Sequence, residues 1–250
     1  MVETHFHPRN EEEFSQNLQQ AFNWGVTRLV AVGSNLQSSR YVNDLAERYD
    51  GVYSTAGVHP HEAKDCGGDL EPFEELFKKA GNCAVGEIGL DYYYGHSEVE
   101  VQKTIFRRFI RLGDRYQLPL IIHCRDAYDD CLDILKEELA EEQAFEIHSC
   151  TAAPDWVDEI VDMGGYVGFN GIITFKNADN VRAALDRVPM ERLLLETDSP
   201  YLAPVPYRGK PNYPAYVKYV AQYVADRKGV SFEEISRVTT ENAVTFFSLS

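Results

Sequence analysis

No uninterrupted apolar stretch in this 250-residue chain approaches the roughly 18 to 20 residues that a membrane-spanning helix needs. A soluble protein with no membrane partner is therefore expected. Positive charge is scarce as well: 24 Lys and Arg stand against 40 Asp and Glu, a formal net charge of -16. A protein that wraps nucleic acid non-specifically needs basic surface to neutralise phosphates. That role is excluded, and any nucleic-acid contact has to be local. Cysteine is sparse, and Cys66, Cys83, Cys124, Cys131 and Cys150 are odd in number and scattered. They fit neither a disulfide framework nor a paired CxxC zinc site, and are expected to be reduced. There is no internal repeat, low-complexity tract or Gly/Ser linker. No cationic, apolar leader precedes the first strand, and a cleaved signal would remove His5, a candidate ligand. A cytoplasmic protein is expected.

What the chain does have is regular alternation. Apolar runs predict strands over Val2 to His5, Arg28 to Gly33, Val52 to Val58, Cys83 to Gly89, Leu118 to His123, Phe145 to His148, Tyr166 to Phe169 and Leu193 to Thr197. Helical patterning fills the gaps, over Glu12 to Trp24, Leu36 to Tyr49, Asp69 to Ala80, Val99 to Tyr116, Asp126 to Leu139, Asp155 to Met163 and Ala178 to Arg187. Two more helices are expected, Ala215 to Lys228 and Phe232 to Phe247, the second opened by a capping-box pattern in Ser231 and Glu234. Eight strand–helix units in this length predict an α/β fold, a (β/α)8 TIM barrel forming a single domain over residues 1–250. Acid clusters such as Glu11 to Glu13 and Glu137 to Glu142 read as solvated helix faces. The longest irregular piece, Pro200 to Pro214, follows the last strand and is expected to overhang the mouth of the barrel.

Five of the apolar runs end on residues that bind metals: His5 and His7 in VETHFH, Glu87 in AVGEIGL, His123 in LPLIIHC, His148 in FEIHSC and Asp198 in RLLLETD. In a parallel barrel the catalytic groups come from the C-terminal ends of several strands. Two imidazoles two positions apart in a strand share one face, so HxH can chelate one ion. A lone HxH is weak, because a single histidine is more often packed or merely exposed; five coincident strand ends are not. Cys124 and Cys150 adjoin two of these ligands, but alternation turns them to the opposite face, as buried spectators.

Two divalent ions roughly 3.5 to 4 Å apart stabilise both the attacking and the leaving oxygen of a displacement. Glu87 is the expected bridge, with His5, His7 and Asp198 on one ion and His123 and His148 on the other. A metal-bound hydroxide is the expected nucleophile, oriented and deprotonated by Asp198. Asp198 and Glu87 are thus the catalytic candidates. Four imidazoles with two carboxylates suit zinc, manganese, iron or nickel better than magnesium.

The runs VETHFH, GVHPHEA, VGEIGLDYYY, LPLIIHCRDAYDD, GFNGIITFKNA, LLLETDSPYLAPVPYRGKPNYP and TTENAVTFF resemble the TatD family of metal-dependent deoxyribonucleases, over essentially the whole chain. The resemblance implies a (β/α)8 barrel, a two-metal site on the six residues above (zinc, manganese or magnesium) and hydrolysis of DNA phosphodiester bonds, by an exonuclease acting on single-stranded ends. Such an enzyme grips only a terminus, which an acidic surface permits, and a monomer is admissible. The chain departs from the family pattern at Glu3, where Asp is usual, at Ser149-Cys150, and at Pro211 and Tyr213, which stand for Arg and Glu in the mouth loop. The ligands are untouched, whereas substrate preference is open.

For substrate contacts, Arg125 can clamp a phosphate bidentately or pair with Asp126 or Asp129. His59, at a strand end, is a substrate candidate, His61 is left open, and Lys210 in the mouth loop is a phosphate contact or a solvated cation. Of Tyr92, Tyr93 and Tyr94, at most one is expected to stack a base, with packing against a helix as the competing role. Asn170 and Lys176 are placed where they can reach the cleft. Two alternatives stand beside the nuclease. One is a hydrolase of another bond, an aminoacyl-tRNA deacylase or small-molecule amidohydrolase, favoured by a narrow pocket without phosphate-binding cations. The other is a non-catalytic barrel, disfavoured because a structural site needs no bridging carboxylate.

Overall fold

Strands and helices alternate along residues 1–249, the part that the computed structural model describes: β1 (Val2–Phe6), α1 (Glu11–Asn23), β2 (Arg28–Ala31), α2 (Leu36–Arg48), β3 (Val52–Ala56), α3 (Glu71–Phe77), β4 (Asn82–Asp91), α4 (Val99–Tyr116), β5 (Leu120–Arg125), α5 (Tyr128–Glu138), β6 (Phe145–Ile147), α6 (Pro154–Asp162), β7 (Tyr166–Phe169), α7 (Asp179–Arg187), β8 (Leu193–Leu195), α8 (Val217–Lys228) and α9 (Phe232–Phe247). The strands form one sheet in the order β1 to β8, and a parallel bridge joins Phe6, at the end of β1, to Ser199 beyond β8. This is the expected (β/α)8 barrel, eight parallel strands alternating with helices. Among the described residues no helix is long and apolar enough to cross a membrane.

Contacts concentrate in two compact units, the central segment Val32–His148 and the outer one formed by Met1–Ala31 with Ser149 onward. In the central unit β4 is the spine. All ten of its residues are buried, as expected of a parallel strand covered on both faces. Its register sets Gly89 opposite His123 and Asp91 opposite Arg125 on β5. Gly89 has φ +135°, and a Cβ there would lie 2.0 Å from the carbonyl oxygen of His123, so only glycine lets these two strands approach. Phe106, Phe109 and Ile110 of α4 are fully buried, and Phe73 of α3 meets Phe109 edge-on at 5.1 Å. In the outer unit β1 pairs with β2 and β7 with β8, both in parallel.

Capping explains several boundaries. Asn10 Oδ1 accepts the Glu13 amide at 2.9 Å, which opens α1 and puts Glu11 to Glu13 in its first turn, where the helix dipole favours carboxylates. Asn35 and Ser38 close a reciprocal capping box on α2. Ser231 Oγ accepts the Glu234 amide at 3.1 Å at the start of α9, as the pattern predicts. The second acid cluster is not simply solvated, since Glu138 pairs with Arg107 at 2.9 Å and Arg111 at 2.6 Å. β5 begins two residues later than expected and runs on to Arg125. Pro119, which has no amide hydrogen to donate, precedes it. The five cysteines form no disulfide, and Cys124 and Cys150 are buried.

Candidate metal centre

In the central unit three imidazoles gather around one buried carboxylate. Glu87, on β4 and 2% exposed, has Oε1 2.7 Å from His148 Nε2, 3.1 Å from His123 Nδ1 and 3.6 Å from His59 Nε2. His123 Nδ1 and His148 Nε2 are themselves 3.3 Å apart. Burial would raise the Glu87 carboxyl, but the imidazoles of His148, His59 and His123 around it outweigh that and hold it well below the usual range. His148 lies one residue past β6 and is positioned by its amide, which donates to Ile122 O at 3.0 Å.

His59 joins this cluster in a different electronic state. Burial first of all pushes its pKa well down, so the ring is neutral, and its Nδ1 accepts the His61 amide at 3.1 Å. The single ring proton is then on Nε2, the atom facing Glu87. Such a ring donates a hydrogen bond, whereas a ligand presents a lone pair.

Asp91, at the end of β4, went unnoticed in the sequence. Its Oδ2 is 3.0 Å from His123 Nε2 and 3.1 Å from His61 Nε2. Its Oδ1 accepts the amides of Tyr93 and Tyr94 at 3.0 and 2.9 Å. Burial would raise this carboxyl, yet the bonds from His123, the Tyr94 amide and His61 bring it far below the ordinary range. An ionised Asp91 keeps the His123 proton on Nε2 and leaves the Nδ1 lone pair on the side of Glu87 and His148, the arrangement of a carboxylate–histidine–metal triad. Asp91→Asn is expected to weaken metal binding by about 10- to 100-fold. Isothermal titration of metal-stripped protein measures this, and an affinity within a factor of two of wild type would contradict the assignment.

The outer unit supplies a second set. His5 Nε2 and His7 Nε2 are 3.2 Å apart, and His7 Nε2 is 3.6 Å from Asp198 Oδ1. The set is locked through the backbone: the Asp198 amide donates to His5 O at 2.9 Å and the His7 amide to Ser199 O at 2.8 Å. Beneath it, Glu3 Oε1 accepts the amides of His5 and Thr197 at 3.2 and 2.8 Å. Glu3 thus ties β1 to the segment after β8. Glu196 was also missed. It is fully buried, and its Oε1 accepts the Ser149 amide at 2.8 Å and Asn170 Nδ2 at 3.3 Å. Asn170 is therefore buried and engaged, while Lys176 is exposed.

Both sets fit a cation. Two imidazole nitrogens 3.2 Å apart cannot both carry a proton toward each other, and the buried carboxylate of Glu87 is a negative charge that a divalent ion offsets. All are ligand types that divalent ions accept.

The remaining candidates are peripheral. Arg125 does not pair with Asp126 or Asp129. Its guanidinium lies 4.0 Å from the ring centroid of Tyr93 and 4.8 Å from that of Tyr94. Tyr92 takes the packing role, donating its hydroxyl to Asp130 on α5 at 2.6 Å. Lys210 is exposed in the Pro200–Pro214 loop. That loop is pinned by Asn212, whose Nδ2 donates to Thr197 O at 2.8 Å and Tyr201 O at 2.6 Å, so Pro211 and Tyr213 flank its anchor without supplying it. Arg208 stacks on Phe175 at 4.3 Å.

Residues 2–248 match the family model described as TatD related DNase. The chain is 39% identical to the metal-dependent hydrolase YabD of Bacillus subtilis over all of both chains. It is 32% identical to the 3'-5' ssDNA/RNA exonuclease TatD of Pectobacterium parmentieri over 96% of this chain and 95% of that one. Its structure superposes on that of YjjV, a TatD homologue from Escherichia coli, with a TM-score of 0.93 and 28% identity over 100% of this chain and 98% of the other. With its two sets of ligand-type residues, the chain is a metal-dependent hydrolase and belongs to the TatD-related DNase family.

Proposed function

We propose that this protein is an exonuclease that hydrolyses phosphodiester bonds at the ends of single-stranded DNA with the help of two divalent cations. His5, His7 and Asp198 would hold one ion, and Glu87, His123 and His148 the other. Bound there, such ions polarise the phosphoryl oxygen, activate water and stabilise the leaving oxygen. Asp198 orients the attacking water and accepts its proton, Asp91 holds His123 in the ligating tautomer, and the Nε2 proton of neutral His59 is available to a phosphate oxygen. One chain supplies every ligand, so a monomer suffices.

The observation that carries the choice of bond is Arg125. It lies two positions beyond His123 on β5, on the same strand face, and is steadied by aromatic rings instead of a carboxylate. A guanidinium held in that way remains available to a phosphate, which an amidohydrolase of small substrates does not need. The name of the Pectobacterium relative points the same way.

The test is to incubate metal-stripped protein with single-stranded DNA labelled at either end, with added manganese, magnesium or zinc. Metal-dependent stepwise shortening is expected, and the label released first identifies the attacked end. DNA left intact with every metal would overturn the reading and direct the search to carbonyl substrates, beginning with aminoacyl-tRNA.

A further inference from the structure

Two large aromatic side chains stay in solvent beside the Glu87 cluster. Tyr93 is 59% exposed and Tyr94 52% exposed, with their rings perpendicular at 4.8 Å and the Arg125 guanidinium against both. This turn is held at every point. Asp91 Oδ1 takes the Tyr93 and Tyr94 amides, the Tyr92 amide donates to Arg125 O at 3.0 Å, and His61 packs edge-on against Tyr94 at 5.2 Å. Gly95, with φ +61°, turns the chain away immediately afterwards. The carboxylate that fixes this turn is also the one that orients His123.

We infer that Tyr93, Tyr94 and Arg125 form the seat of the nucleotide adjoining the scissile bond, with its base stacked on an exposed tyrosine ring and its phosphate on the Arg125 guanidinium. The inference rests on the nuclease reading and adds to it the part that recognises a nucleotide as such. Both contacts tolerate any base, because every base has a π-face and every nucleotide a phosphate. A guanidinium already stacked on rings loses little freedom when a phosphate binds. The seat therefore predicts weak sequence preference, together with poor binding of phosphoesters that lack a base.

The test uses the full, metal-loaded chain and phosphorothioate-protected single-stranded oligonucleotides carrying 2-aminopurine at the 3' or the 5' terminus. Stacking quenches this fluorophore, so quenching on binding is expected at one end. The Tyr93→Ala/Tyr94→Ala double variant is expected to lose the quenching and to bind about 10-fold or more weakly. The Tyr93→Phe/Tyr94→Phe pair, which keeps the rings, is expected to restore both. Arg125→Leu is expected to lower the salt dependence of binding by about one counterion. Absence of quenching with wild type at either end, or unchanged quenching and affinity in the double alanine variant, would overturn the seat. Cleavage of end-labelled DNA is scored separately. DNA that is shortened without tyrosine-dependent quenching removes the seat and keeps the nuclease; tyrosine-dependent quenching of DNA that is never cut does the reverse.

Discussion

Glu87→Gln is expected to lower metal-dependent hydrolysis by about a thousandfold or more, the scale seen when a group acting as one unit with its neighbours is removed. The substitution keeps the shape of the side chain and removes its charge. Three imidazole nitrogens lie within 3.6 Å of one Glu87 oxygen, and a neutral amide there offers no anionic counterpart to a cation and only one acceptor atom. Metal content is expected to fall along with activity. Elemental analysis after dialysis against metal, beside initial rates on labelled DNA, reads both quantities, and thermal unfolding checks that the barrel persists. Rates and metal content equal to wild type would remove Glu87 from the centre.

Asp198→Asn is expected to reduce turnover by about 10²- to 10⁴-fold, the range ascribed to a positioned general base, while the fold survives. The reason is conformational. Asp198 has φ +55°, a region that asparagine and aspartate visit more readily than other side chains, and its amide bond to His5 O does not involve the side chain. Asn therefore keeps the backbone and removes the proton acceptor. Asp198→Ala would add a local backbone penalty, which makes it the less informative variant. Steady-state kinetics with saturating metal separate the cases. A fall in kcat supports the assignment, and a rate within a few-fold of wild type contradicts it.

The barrel and both clusters of ligand-type residues were legible because each rests on local pattern: apolar runs of strand length, and ligand-type residues where those runs end. Boundaries shifted for identifiable reasons. β6 and β8 are only three residues long, because the chain turns through positive φ at Ser149 and Asp198 just beyond them. Asp91 and Glu196 were missed although a signal existed. Glu196 stands two positions before Asp198, the same spacing as His5 and His7, and Asp91 stands four after Glu87, on one strand face. What no local pattern supplies is the partner. Asp91 meets residues 30 and 32 positions away, and Glu196 meets one 47 positions away. Arg125 shows the same limit, since acids follow it closely in sequence and its spatial neighbours are Tyr93 and Tyr94, just beyond the Asp91 that strand register sets opposite it.

The outer unit is built from the two ends of the chain, with Thr4 bonded to Leu195 and Glu3 to Thr197 across 191 and 194 positions. At a synthesis rate of about 5 to 20 residues per second, these partners leave the ribosome roughly 10 to 40 s apart. His5 and His7 thus wait through most of translation for Asp198. A message broken before that codon yields a chain carrying Glu87, His123 and His148 but lacking the acid that stands beside His7 in the other set.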